Sequence, residues 1–148
     1  MDAPTHRSCI GIAFVIMVVI IAGCSALRTI TDMKTSLRDR VTDYMDARMQ
    51  GDKAKSHAFF SRESKERIPR EKYLSIPQTI SYVSYAIDTI DIADTEKEAE
   101  VTVKIDIKIM TFVFKGITQT QQWLWENGSW CIDVKPVTGL PGSSTKKK

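Results

Sequence analysis

His57, Tyr44, Tyr85 and the cysteines are the side chains of this sequence whose types and settings could carry chemistry. His57 lies among Ala54, Ala58, Phe59 and Phe60 in a segment that reads as a short helix, where an imidazole can serve as a general base. The pattern supplies no carboxylate to orient that ring, so a partly exposed structural histidine is the plainer reading. One histidine and one free thiol cannot furnish the clustered ligands of a metal site, and neither a metal nor a cofactor is expected. No Gly-x-Ser-x-Gly elbow, Walker loop or dinucleotide fingerprint occurs. Trp123, Trp125 and Trp130 could stack on a ligand ring or sugar, or could simply fill a core. Cys9 and Cys24 sit in or beside an apolar stretch, which leaves Cys131 as a lone, half-buried thiol with no disulfide partner.

Cys24 stands apart because of what precedes it. Between Arg7 and Arg28 there is no charged residue, and residues 10–21 are apolar or small throughout, a composition that belongs in a membrane. The stretch ends in Ile21-Ala22-Gly23-Cys24, which resembles the lipobox of bacterial lipoproteins. That resemblance implies diacylglycerol on the Cys24 sulfur, cleavage before it, and a mature chain held by two or three acyl chains. At about 0.8 kcal/mol per buried methylene such an anchor does not release. Ser25 stands where, by the same resemblance, an aspartate would retain the protein at the inner membrane, so the expected location is the cell envelope, on the periplasmic side of the outer membrane if the source is Gram-negative. An uncleaved single-pass anchor is the rival, since 8–27 has about the 20 uncharged residues needed to cross a bilayer.

The elements that must position the remaining residues follow from periodicity. Ile30, Met33, Leu37, Val41, Tyr44, Met45 and Met49 recur at three- and four-residue steps and predict a long amphipathic helix that stops at Gly51. Asp52 is placed to cap a short helix through Phe60, and Pro69 to open a third around 70–74. Strands are expected over 79–92, 99–114, 117–126 and 129–134. Asn127-Gly128 between Trp125 and Trp130 predicts a type I′ hairpin that sets Trp125 opposite Trp130 and Trp123 opposite Ile132. The apolar phase of the second strand shifts from Ile109 to Met110, which predicts a β-bulge there and a tight turn at Lys115-Gly116. The fold class is α+β: a long N-terminal helix and short helices on the concave face of a curved, mostly antiparallel four-stranded sheet.

A helix closing on Gly51-Asp52, short helices, and a bent sheet ending in Asn127-Gly128-Ser129-Trp130-Cys131-Ile132 resemble the nuclear transport factor 2-like superfamily over 31–135. The resemblance implies a cone-shaped interior in which Asp, His or Tyr can act as proton donors or acceptors. By strand parity Asp88, Asp106 and Asp133 point outward, while Tyr44 and Tyr85 remain as polar candidates for the cavity, with His57 beside them. Fold alone chooses no activity. An open cavity in which a carboxylate and a tyrosine converge would mark an enzyme, and a cone filled by Trp and Phe would mark a binding module.

At 148 residues and 43% hydrophobic, the chain has room for one core, and a net charge of +3 calls for no nucleic-acid partner. The expected organisation is a signal peptide at 1–23, a lipidated N-terminus and linker at 24–30, one domain at 31–136, and a disordered tail at 137–148 ending in three lysines. The expected function is a membrane-anchored, exported, non-enzymatic module that binds a protein partner or a small apolar ligand. The alternative is a small isomerase or dehydratase using Tyr44, Tyr85 and His57. A homodimer through the outer sheet face, with Tyr82, Leu124 and Cys131 near it, is compatible with either.

Overall fold

Helix α1 spans residues 30–49, and its apolar stripe explains its length and its burial. The computed structural model describes residues 30–135; Cys9, Cys24, Ser25, the preceding apolar stretch and the terminal lysines lie outside them. The chain divides into two units, 1–36 and 37–148. In the described part of the first, Ile30 is exposed and the Thr35 hydroxyl donates to the Thr31 carbonyl at 3.0 Å. In the second, Leu37, Val41, Tyr44, Met45 and Ala47 are all buried. Each large apolar side chain buried in this way contributes about 1.5–3 kcal/mol. The helix ends in a Schellman motif: Gly51 has φ +70°, its N–H donates to the Arg48 carbonyl at 3.2 Å, and the Asp52 N–H donates to the Ala47 carbonyl at 2.9 Å.

Three short helices follow, α2 (Lys53–Ala58), α3 (Arg62–Arg67) and α4 (Arg70–Ser75). Asp52 caps α2, accepting from the Lys55 N–H at 2.9 Å. Ser61 caps α3 through the Ser64 N–H at 3.2 Å, a helix not expected from periodicity because only Ser64 of it is buried. Pro69 stands at the N-cap of α4.

The strands are β1 (Ile80–Ile92), β2 (Glu98–Ile109), β3 (Phe112–Glu126) and β4 (Ser129–Asp133), forming one antiparallel sheet in that order. Asn127 and Gly128 both take positive φ, as a type I′ turn requires, and Trp125 faces Trp130 while Trp123 faces Ile132. Beside β4, Phe60 makes a parallel bridge to Ile132: the Ile132 N–H donates to the Phe59 carbonyl at 2.8 Å and the Ser61 N–H to the Ile132 carbonyl at 2.9 Å. That contact covers a stretch of strand edge that would otherwise be open to pairing.

The β2–β3 hairpin corrects the expected bulge. The chain turns at Met110-Thr111, with Met110 at φ +54°, so the apolar phase shift there is a reversal of direction and not an extra residue. The bulge falls instead at Lys115-Gly116, where the register slips opposite Asp106 and Gly116 takes φ +66°. Asp106 holds it, accepting from the Gly116 N–H at 2.8 Å and from the Ser84 hydroxyl at 3.0 Å. Strand β1 slips register at Val83 and again at Asp88. Its inward residues are therefore Tyr82, Tyr85, Ile87 and Ile90, a sequence that strict alternation misses. Tyr82, expected near the outer face, points inward for this reason. Asp133 keeps the expected parity, opposite to Ile132, and is held by the Ser64 hydroxyl at 2.9 Å and Arg67 at 2.7 Å, because α3 lies against β4.

Candidate functional site

The interior under the helices is closed by aromatic rings. Trp123, Trp130 and Phe60 are at most 1% exposed, and Tyr44 meets Trp123 and Phe59 edge-on at 5.8 and 5.9 Å between ring centres. The Trp123 indole N–H donates to the Gln121 side-chain oxygen at 3.1 Å, while the buried Trp130 Nε1 has no hydrogen-bond partner among the described residues. Trp123 and Trp130 therefore form core and do not offer faces to a ligand, which corrects the binding role considered for them. Trp125 is half-buried and packs edge-on against Trp130 at 5.2 Å. Cys131, expected close to the outer surface, is buried opposite a half-buried Leu124.

His57 is buried as well, contrary to the expected partial exposure, since Phe60 and Tyr73 flank its ring at 4.9 and 5.6 Å. Its Nε2 is 2.9 Å from the Ile68 carbonyl, which fixes the loop between α3 and α4. No substrate could approach that nitrogen without displacing the loop. Tyr85 donates its hydroxyl to Asp46 Oδ1 at 2.8 Å. Burial and then the Asp46 carboxylate push the Tyr85 pKa up to about 12, the wrong direction for a tyrosine that must ionise in a reaction. A tyrosine and a carboxylate thus do converge, but neither lines the cavity described next.

That cavity, about 230 Å³, lies between the C-terminal end of α1, the start of α2, α4 and the first residues of β1. Arg48, Lys53, Ser56, Tyr73, Gln78 and Tyr82 supply its polar groups, and Ala47, Ile76, Pro77 and Ile80 its apolar ones. Arg48 is its centre. The guanidinium donates through Nη1 to the Tyr44 hydroxyl at 2.6 Å and through Nη2 to the Tyr82 hydroxyl, with its carbon 4.6 Å from the Tyr82 ring centre. Across the cavity the hydroxyls of Ser56 and Tyr73 are 3.2 Å apart. Burial drives the Tyr44 pKa up to about 12, so its hydroxyl stays neutral and faces the guanidinium as an acceptor.

Among the described residues no carboxylate lies within ion-pair distance of Arg48. Asp52, the acidic residue of the cavity wall, spends an oxygen on the α2 cap. Lys53 turns its ammonium to the Leu74 and Ile76 carbonyls. A half-buried guanidinium satisfied by neutral phenols retains its charge and attracts an anion. Neither Arg48 nor Tyr82 was expected from the sequence to line a cavity. Arg48 was legible, since it stands four residues after Tyr44 and so on the same helix face; Tyr82 was not, because the Val83 slip reverses its parity.

A comparison with protein-family models finds no match, and a search of curated proteins finds none either. Among the described residues no helix is long and apolar enough to cross a membrane.

Proposed function

We propose that this protein is a lipid-anchored, exported binding module without enzymatic activity, and that its ligand enters the Arg48 cavity. One observation carries the reading of the domain: the interior is packed shut by Trp123, Trp130 and Phe60, while the adjoining cavity presents a guanidinium and phenol hydroxyls. Such a site can hold and orient a molecule, and the carboxylate on its wall, Asp52, is engaged at one oxygen by the α2 cap. The anchor reading rests on Ile21-Ala22-Gly23-Cys24 and its apolar leader.

Each half has its own test. The intact mass of protein extracted from native membranes is expected to match a chain starting at Cys24 with added acyl groups. A chain starting at Met1 with a free thiol overturns the anchor. For the cavity, a small-molecule screen followed by amide NMR is expected to move the signals of Tyr73, Gln78 and Tyr82 together, with every bound compound recovered unchanged. Chemical turnover, or binding confined to the Tyr85–Asp46 pair, would favour the isomerase reading instead.

A further inference from the structure

The Arg48 cavity does not end at its own wall. Residues paired directly across a sheet share a face. Tyr82, which touches Arg48, is paired with Ile107, and Ile107 with Phe114; Ile80, which also lines the cavity, is paired with Ile109, and Ile109 with Phe112. Those six residues form two adjacent rows running from the cavity across three strands. Phe112 is 68% exposed, Phe114 47% and Ile80 38%. Exposed apolar residues are ordinary when scattered, but a contiguous face of this kind beside a charged cavity marks a binding surface.

We infer that the cavity and this bare face form one site for a single-chain amphiphile with a carboxylate head, of the fatty-acid type. The inference rests on the reading of the cavity as a binding site. The carboxylate accepts hydrogen bonds from the Arg48 guanidinium and from the Tyr73 hydroxyl, and the acyl chain lies over Ile80, Ile109 and Phe112. Charge selects a monoanion, because Arg48 and Lys53 against Asp52 leave one net positive charge on the wall. A slender head suits the site, because the guanidinium is reached through a partly open cavity of about 230 Å³. The apolar rows give a long chain the contact that a short anion would lack.

The test uses the full chain in nanodiscs of neutral lipid, photolabelled with a twelve-carbon carboxylic acid carrying a diazirine on its chain. Label is expected on peptides containing Ile80 and Phe112. Dodecanoate should compete for it at a concentration about tenfold below that needed for dodecanol, the equivalent of about 1.4 kcal/mol. Arg48→Gln should erase the difference between acid and alcohol. Phe112→Ser with Phe114→Ser, both at exposed positions, should weaken both competitors and keep their ratio. Equal competition by acid and alcohol in the unaltered protein overturns the carboxylate head, and an unchanged response in the double serine variant overturns the placement of the chain. Failure of any probe to label the cavity or these strands overturns the binding reading itself.

Discussion

The two ends of the sheet share strands and composition but not surroundings. Toward Val101, Val103 and Trp123 the inner face lies beneath helices, and those residues are fully buried. Toward Ile109, Phe112 and Phe114 the same face continues without a covering helix among the described residues, as apolar as before. Folding requires only the first. A protein that maintains the second against its cost in solubility keeps apolar surface for something other than its own core. The sharpest way to break this comparison is to truncate one large ring at each end. Trp123→Ala should cost about 3–5 kcal/mol, read as a lower denaturation midpoint. Phe112→Ala should change stability by no more than about 0.5 kcal/mol. If both cost the same, the distal face is core and the division fails.

Tyr44 and Tyr82 flank Arg48 from the two sides of this divide, one buried and one half-buried. Burial raises the Tyr44 pKa from 10.0 to about 12. Because the folded-state value lies above the unfolded one, the associated stability is complete below pH 10 and is lost as pH rises toward 12. The loss at the top of that window is on the order of 2–3 kcal/mol. Denaturation midpoints between pH 9 and 12 should fall more steeply in the unaltered protein than in Tyr44→Phe, and a matching slope in the two would remove Tyr44 from the account.

How far such differences could be foreseen depends on which physical signal encodes them. Helix α1, its Gly51 stop and the Asn127-Gly128 hairpin were legible because each depends on local periodicity or on a backbone angle few residues adopt. Helix α3 was not, since Ser61 and Ser64 anchor it through hydrogen bonds that leave no apolar stripe. The β2–β3 turn was misplaced because Met110 and Thr111 carry no turn signature, whereas Lys115-Gly116 does and is used for a bulge. Parity errors follow from bulges: one slip at Val83 turned Tyr82 from the outer face to the cavity. The site was therefore half visible, through Tyr44 and its neighbour Arg48 on one helix, and half hidden in strand irregularities that depend on tertiary pairing.

Gly116 sharpens the comparison at the distal end. A methyl group there meets no atom within 4 Å, so Gly116→Ala tests backbone conformation without a packing change. At φ +66° the substitution should cost about 1–2 kcal/mol. The loss should concentrate in the bare half, seen as faster amide exchange in Phe112, Phe114 and Ile107 with protection at Val101 and Trp123 retained. Uniform loss of protection would mean that the sheet opens as a single unit.

Asp106 supplies the smallest and most local effect. Its carboxylate accepts from the Gly116 N–H and the Ser84 hydroxyl, and these bonds, the backbone one first, hold its pKa below the ordinary 3.8. A folded-state value below the unfolded one means that the contribution is present above pH 3.8 and disappears as pH falls through the folded value. The group is partly exposed, so the bonds are weakened by water and the effect on global stability is slight. It is better read at the bulge itself. In Asp106→Ala the Gly116 amide should lose protection at pH 6, measured against the intrinsic exchange rate at that pH, while the unaltered protein should show the same loss of protection only on acidification below pH 3.8. Protection at Gly116 that ignores both the substitution and the acid would show that backbone pairing alone holds the bulge.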